Sequence, residues 1–465
     1  MAEQEIYSFF QKHREKYLES IQKLIRIPSV SHPDEDEKYP FGESCARALD
    51  VALTMGKEMG FLVQNHAYYC GSIILPGVEE KEIGIFAHLD VVPEGDGWKR
   101  PPYEPYIEDG WLFGRGSADN KGPAITALYA IYCLKELGVK LKHTVRLVLG
   151  CSEENGMRDI QYYVKYYPLP VFSFTPDASF SVCYAEKGII EAEFYTTLPN
   201  EILEFSAGVA SNAVAGKGYA ILPAKAEEKI RSATKSFPNI EIEIEQEYLK
   251  VQATGISAHA AFPEGAVNAG AKLAEFLCKS EWLGKDALQV LAFPAKCFKE
   301  HYGNAFGIAY EESECGRLTA ICGMIRTEGN HLILNANIRY PAGMQAEKIK
   351  ERLNEKAHSY GWKTSFINDD PPMYMSPECP VIKVLNDICI RRLGKNFTPY
   401  SMGGGTYARR LPNAVAFGPG IQGQKKPGLK GHGEGHQPDE CVQLKTLEDA
   451  FYIYVQALQE IDQLV

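Results

Sequence analysis

Two textures of apolar and polar positions alternate along the chain. From about Lys81 to Asp177, short apolar runs (EIGIFAH, TVRLVLG, VFSFT) are interleaved with a helical stretch, PAITALYAIYCLKEL. Strand-length apolar runs alternating with helical patterns predict an α/β layer with a largely parallel sheet. Polar residues follow the strands directly: His88 after IGIFA, Glu153 and Glu154 after VRLVLG, and Asp177 after VFSFTP. In open α/β sheets, that carboxyl edge is where ligands bind.

After about Lys187 the strands lengthen and become amphipathic, as in LKVQATGIS and HLILNANIRYP. They are separated by helical segments such as NAGAKLAEFLCK and AEKIKERLNEKAHSYG. In HLILNANIRY, a period of two puts Leu332, Leu334, Ala336 and Ile338 on one face, to pack on helices. Ile333, Asn335, Asn337 and Arg339 fall on the other, which can face a cleft. From about Ser376 a helix (CPVIKVLNDICIRRLG), a glycine-rich turn (SMGGGTYAR), a strand (NAVAFGPG) and a last helix (LEDAFYIYVQALQEI) resume the α/β texture. The expected fold is thus α/β: a catalytic domain with a mostly parallel sheet flanked by helices, plus an inserted α+β domain. The boundaries are 1–187, 188–375 for the insertion, and 376–465.

The N-terminal MAEQEIYSFFQKHREKYLESIQKLIRI intersperses charge with Ile6, Phe9, Phe10, Tyr17, Ile21 and Leu24, which predicts a packed amphipathic helix and not a signal sequence. No stretch reaches the roughly 18 apolar residues of a membrane span. At 465 residues, 45% hydrophobic and 23% charged, the chain is long enough for two domains with buried cores. Its net charge of −11 comes without a basic stripe, which excludes nucleic acid as a partner. The twelve cysteines are scattered without a CxxC pair and read as reduced, mostly buried residues of a cytoplasmic protein. Cys151, beside an acidic pair, reads as a small core residue before it reads as a reactive thiol.

The candidate chemistry sits at the strand ends. AHLDVVP sets an imidazole and a carboxylate two residues apart, His88 as a metal ligand and Asp90 as the acceptor of its other ring N–H. Taken alone, HxD reads first as a satisfied structural histidine, and only the rest of the set favours a ligand. GRGSADNKGP ends a glycine-rich turn with Asp119 just before a helix that Pro123 can open; a carboxylate there can bridge two cations, or Asp119 or Asn120 can simply cap the helix. SEENG gives adjacent carboxylates, Glu153 and Glu154, which crowd unless a cation or a proton lies between them. In a two-metal hydrolase one would bind metal and the other would carry a proton from water to the leaving amine. Asp177 follows TP, and GHGEGHQPDE offers His432 and His436. Together these make a mixed nitrogen and oxygen set suited to zinc, cobalt or manganese.

AHLDVVP, GRGSADNKG, SEENG, TPDAS and HQPDE resemble, in order, the motifs of the co-catalytic zinc aminoacylase and carboxypeptidase family. The length and the insertion resemble its PepV-type, Xaa-His-dipeptidase-like members. The resemblance implies that Asp119 bridges two metal ions, that His88 and Asp177 complete one site, and that Glu154 and His436 complete the other, with His432 the second choice. It also implies Glu153 as catalytic base, Asp90 as the partner of His88, and an insertion acting as a lid. On that lid SNAVAGKGYA, GISAHAAFPEGAVNA and NIRYPAG would supply Asn212, His259 and Arg339. His259 would stabilise charge on the attacked carbonyl oxygen, and Arg339 would hold a free carboxylate bidentately. SMGGGTYARR would bring backbone N–H groups near the same carboxylate, around Gly404 and Thr406.

The expected function is a two-metal dipeptidase acting on small peptides, with zinc as the first expectation and an active monomer. The alternatives are an N-acyl amino acid deacylase or carboxypeptidase on the same scaffold, and a catalytically silent binding protein.

Overall fold

The computed structural model describes all residues except 1–2, 34–37, 238, 246 and 395. The chain divides into two compact units, one of residues 1–184, 375–400 and 405–465, the other of residues 185–374 and 401–404.

The first unit is built on a mixed sheet whose middle four strands are parallel, in the order His143–Gly150, Glu79–His88, Phe172–Thr175 and Ala414–Phe417. Strands buried on both faces read as unbroken apolar runs, and Ile83, Ile85, Val145, Leu147, Phe174 and Val415 have no exposed surface. Antiparallel strands flank this centre, including the hairpin Leu62–His66 and Cys70–Leu75. The sequence pattern did not predict that hairpin. Its turn places Ala67 and Tyr68 at φ of 52° and 60°, a left-handed conformation that Gly or Asn would have signalled.

The helix Lys121–Glu136 packs on both Glu3–Ile25 and Leu444–Asp462. The N-terminal helix buries Ile6, Phe9, Phe10, Tyr17, Ile21 and Leu24, as its amphipathic pattern requires; residues 1–2 of that segment lie outside the described residues. Each such side chain removed from water contributes on the order of 1.5–3 kcal/mol. All twelve cysteines are free, and Cys151 is fully buried, its thiol pushed well up by that burial. It is a core residue.

The inserted unit is α+β: an eight-stranded, fully antiparallel sheet with helices Ala269–Lys279 and Ala346–Ser359 among those covering its apolar side. In the strand His331–Tyr340, Leu332, Leu334, Ala336 and Ile338 enter that core, as their period predicts. The opposite face is not open. Asn335 and Asn337 are 7% and 0% exposed, hydrogen-bonded to Glu191, Glu193 and Arg326 on neighbouring strands, and Arg339, 7% exposed, donates to Asn337 and Gly403. A polar residue at alternate positions marks a second face; it does not say whether water or a charged neighbour meets it.

Candidate metal centre

Register brings the acidic loops to one edge of the first sheet. His88 pairs with Gly150, so Cys151–Glu154 begins level with the imidazole. Ile85 pairs with Phe174, so three residues further on His88 and Asp177 reach the same height. Asp119 arrives from the loop before Lys121–Glu136, and His436 from the loop before Leu444–Asp462.

The distances define a compact cluster. The Nε2 of His88 lies 3.1 Å from Asp119 Oδ1 and 3.7 Å from Asp177 Oδ1. The Nε2 of His436 lies 3.2 Å from Asp119 Oδ2 and 2.9 Å from Glu154 Oε1. Each oxygen of Asp119 therefore faces a different imidazole. Ligand atoms of His88, Asp119 and Asp177 form one group able to hold a metal ion, and those of Asp119, Glu154 and His436 form another; His88 also groups with Glu153 and Glu154. His432 is engaged elsewhere, its Nδ1 2.8 Å from Asp439 Oδ2. His436 adopts φ of 65°, sparsely populated for a residue with a side chain, and Gly435 beside it lies where a Cβ would meet Asp119 Oδ2 at 3.0 Å.

Burial and crowding set the electrostatics of the cluster. Burial opposes the charge of Asp119, yet hydrogen bonds from His436 and His88 hold its carboxyl well below the usual range. Glu154 is pushed up to about 7 by burial and by the Asp119 charge, and Asp177 is raised by burial. Glu153 is raised well above the carboxylate range, first by burial and then by Asp177. Burial should lower His88, but Asp177 and Asp119 raise it, while Asp119 and Glu154 push half-exposed His436 up to about 11. Glu153, Glu154, Asp177 and both imidazoles are drawn toward protonation while Asp119 is held ionised between the two histidines, so the cluster favours added positive charge. Two nitrogens and three carboxylates at these separations are a donor set that divalent cations satisfy.

Asp90 does more than expected. The ring Nδ1 of His88 is 3.0 Å from the Asp90 carbonyl oxygen and 3.4 Å from its Oδ1. The carboxylate meanwhile accepts the backbone N–H of Glu153 on Oδ1 and of Glu154 on Oδ2, both at 3.1 Å. Asn120 occupies the helix N-cap but makes no side-chain cap bond; its amide donates to Pro176 O at 2.6 Å and Asp177 Oδ1 at 3.1 Å. The Asp119–Asn120 peptide bond is cis.

The motif reading gave no role to Glu440 or Arg115. Glu440 has no exposed surface, accepts backbone N–H from Ala118 at 2.9 Å and Asp119 at 3.1 Å, and pairs with Arg115 Nη1 at 2.8 Å. This buried charge pair ties the loop of Asp119 to the loop of His436. Its only sequence signal was the acidic residue closing HQPDE.

In the inserted unit, the backbone aligns the two expected segments. Ala213 and His259 form a bridge, and Ala260 N–H donates to Asn212 O at 2.8 Å. The Ala261 N–H donates to His259 Nδ1 at 3.2 Å, which places the proton of a neutral ring on Nε2. Arg339 donates from Nε to Asn337 Oδ1 at 2.7 Å and from Nη1 to Gly403 O at 3.1 Å, so its plane is fixed. At Gly404 a Cβ would meet nothing within 4 Å, whereas Thr406 is buried and its hydroxyl oxygen caps the turn Tyr407–Arg410 by accepting Ala408 N–H.

Comparison with known proteins agrees with this geometry. The model of peptidase family M20/M25/M40 matches residues 84–460. YtjP of Bacillus subtilis (strain 168) is 32% identical over 97% of this chain and 98% of its own length. The Beta-Ala-Xaa dipeptidase of Lactobacillus delbrueckii subsp. lactis is 32% identical over 96% of each chain. The fold is shared with the aminoacylhistidine dipeptidase from Vibrio alginolyticus, at a TM-score of 0.59, 16% identity and 96% coverage of both chains. A match over most of the length, with the acidic and histidine loops gathered on one sheet edge, places this chain in peptidase family M20/M25/M40, as a metallopeptidase.

Proposed function

We propose that the protein is a two-metal dipeptidase that hydrolyses short peptides with free amino and carboxyl ends. The observation that supports this most is Asp119, whose two oxygens face two imidazoles at 3.1 and 3.2 Å. His88, Asp119 and Asp177 would hold one cation, and Asp119, Glu154 and His436 the other. Zinc is our assignment, and the same donors accept manganese or cobalt. The chemistry that such cations supply when bound is polarisation of a carbonyl and activation of a water.

The chain's own groups do the rest. Glu153, beside Glu154 and not needed in either ligand set, takes a proton from the attacking water and returns it to the leaving amine. Asp90 fixes both the His88 ring and the Glu153 amide. We assign His259 Nε2–H to the developing negative charge on the carbonyl oxygen, with Asn212 beside it in the chain pairing, and Arg339 to the substrate's terminal carboxylate, with Gly404 and Thr406 flanking. An active cytoplasmic monomer completes the proposal.

The test is hydrolysis of di-, tri- and N-acetylated peptides after chelator treatment and reloading with zinc, manganese or cobalt. Free dipeptides should be cleaved at least tenfold faster than the others, and only after reloading. Acetylated dipeptides cleaved as fast as free ones would turn the assignment to a deacylase. Activity that survives complete metal removal would end the two-metal reading.

A further inference from the structure

The loop Cys151–Glu154 presents an unusual problem. It carries adjacent carboxylates and must hold both in place against their mutual repulsion. Its four successive backbone N–H groups all point into carboxylates: Glu153 and Glu154 donate to Asp90, while Cys151 and Ser152 donate to a single oxygen, Oδ2 of Asp159, at 2.6 and 2.7 Å. Asp90 belongs to the motifs already described. Asp159 does not.

Asp159 lies in the first turn of the helix Arg158–Tyr166 and has no exposed surface. Its second oxygen accepts the N–H of Ile160 at 2.7 Å. The hydroxyl of Tyr407, 1% exposed and far away in sequence, donates to the same Oδ2 that receives the two loop amides. The Tyr407 ring also meets the His88 ring edge-on, with centroids 6.3 Å apart. Beneath the pair is Gly150, the last residue of its strand. A Cβ there would lie 2.0 Å from the Tyr407 hydroxyl oxygen and 2.3 Å from Asp159 Oδ2, so the strand must end in glycine for the pair to close over it.

We infer that Tyr407 and Asp159 are positioning residues that set the place of Glu153 and Glu154 by anchoring the first half of their loop. The inference rests on the reading of Glu154 as a metal ligand and Glu153 as the base. A simple helix cap would need neither the phenol nor the two loop amides. Three donors on one buried oxygen fix the height at which the loop leaves the strand, and Asp90 fixes its far half. Tyr407 touches neither carboxylate that it positions, so its effect passes through Asp159 and two peptide groups.

Tyr407→Phe deletes one hydroxyl and keeps the ring. Groups that orient ligands from behind typically change metal affinity or activity by about 10–100-fold. The expected result is a fall of about tenfold or more in kcat with KM within twofold, and a similar loss of zinc affinity at one of two sites, measured by competition with a chromophoric chelator. Asp159→Asn should reproduce the loss, and the double variant should lose no more than the larger single change. Gly150→Ala, which forces the pair apart, should do the same. Tyr407→Phe with zinc affinity and kcat both within twofold of the parent would overturn the inference. So would variants that lose thermal stability while the folded fraction keeps its zinc affinity. The metal titration needs no substrate: a parent that binds two ions but cleaves no dipeptide would sink the proposed function and leave the positioning role standing.

Discussion

The two units handle charge in opposite ways. At the edge of the first sheet, Glu153, Glu154, Asp159 and Asp177 are all pushed toward protonation by burial. In the inserted unit, Arg326 pairs with Glu193 at 3.1 Å, and Arg339 donates to the neutral oxygens of Asn337 and Gly403. Crowded carboxylates on one sheet edge store a demand for cations; paired side chains on an antiparallel sheet fix a donor's direction. The first arrangement suits chemistry and the second suits recognition.

Four changes would break or sharpen that contrast. The largest effect is expected of Glu153→Gln, which removes the proposed proton carrier while keeping its shape. The rate kcat should fall by about 10²–10⁴-fold with two ions still bound, as measured by steady-state kinetics beside metal analysis. A variant keeping a tenth of the activity would remove Glu153 from its role. Next, Glu440→Ala leaves the Arg115 guanidinium buried without its carboxylate. Breaking a buried pair costs about 3–5 kcal/mol, so urea unfolding of the first unit should shift by that amount. A shift below 1 kcal/mol would mean that the clamp between the loops is not structural.

In the inserted unit the effect should be smaller and of another kind. Arg339→Lys replaces a planar fork with a point charge, and KM for a dipeptide should rise about tenfold or more while kcat moves less. An effect confined to kcat would contradict a recognition role. The last change is a response to pH. His66 is 2% exposed, and burial lowers it from 6.5 to about 4, so the unfolded chain accepts a proton that the folded one refuses. This group's stabilising contribution is complete above pH 6.5 and is lost as pH falls toward 4, by about 3 kcal/mol in all. Relative to the parent, His66→Gln should therefore gain stability between pH 7.5 and 4.5 in parallel urea titrations; an unchanged difference would refute the assignment.

Much of this is legible in the sequence. Apolar runs placed His88, Glu153, Glu154 and Asp177 at strand ends, because a strand buried on both faces needs an unbroken apolar run and the first polar residue after it marks the edge. The period in HLILNANIRY marked its core face, since alternate residues of a strand share a side. The choice of His436 over His432 came from the likeness of HQPDE to a family motif, and distance then separated the two histidines.

What the sequence by itself determined was local: which segments form strands and helices, and which chemical groups stand at their ends. Periodicity and motif spacing are short-range properties, and they survive without knowledge of neighbours. Only the tertiary structure decided which distant groups share an oxygen or a charge. The buried polar face of His331–Tyr340, the Arg115–Glu440 clamp and the Tyr407–Asp159 anchor all join residues on separate segments. Hydrogen bonding satisfies a buried polar group wherever its partner lies in the chain, so such pairings leave no periodic trace.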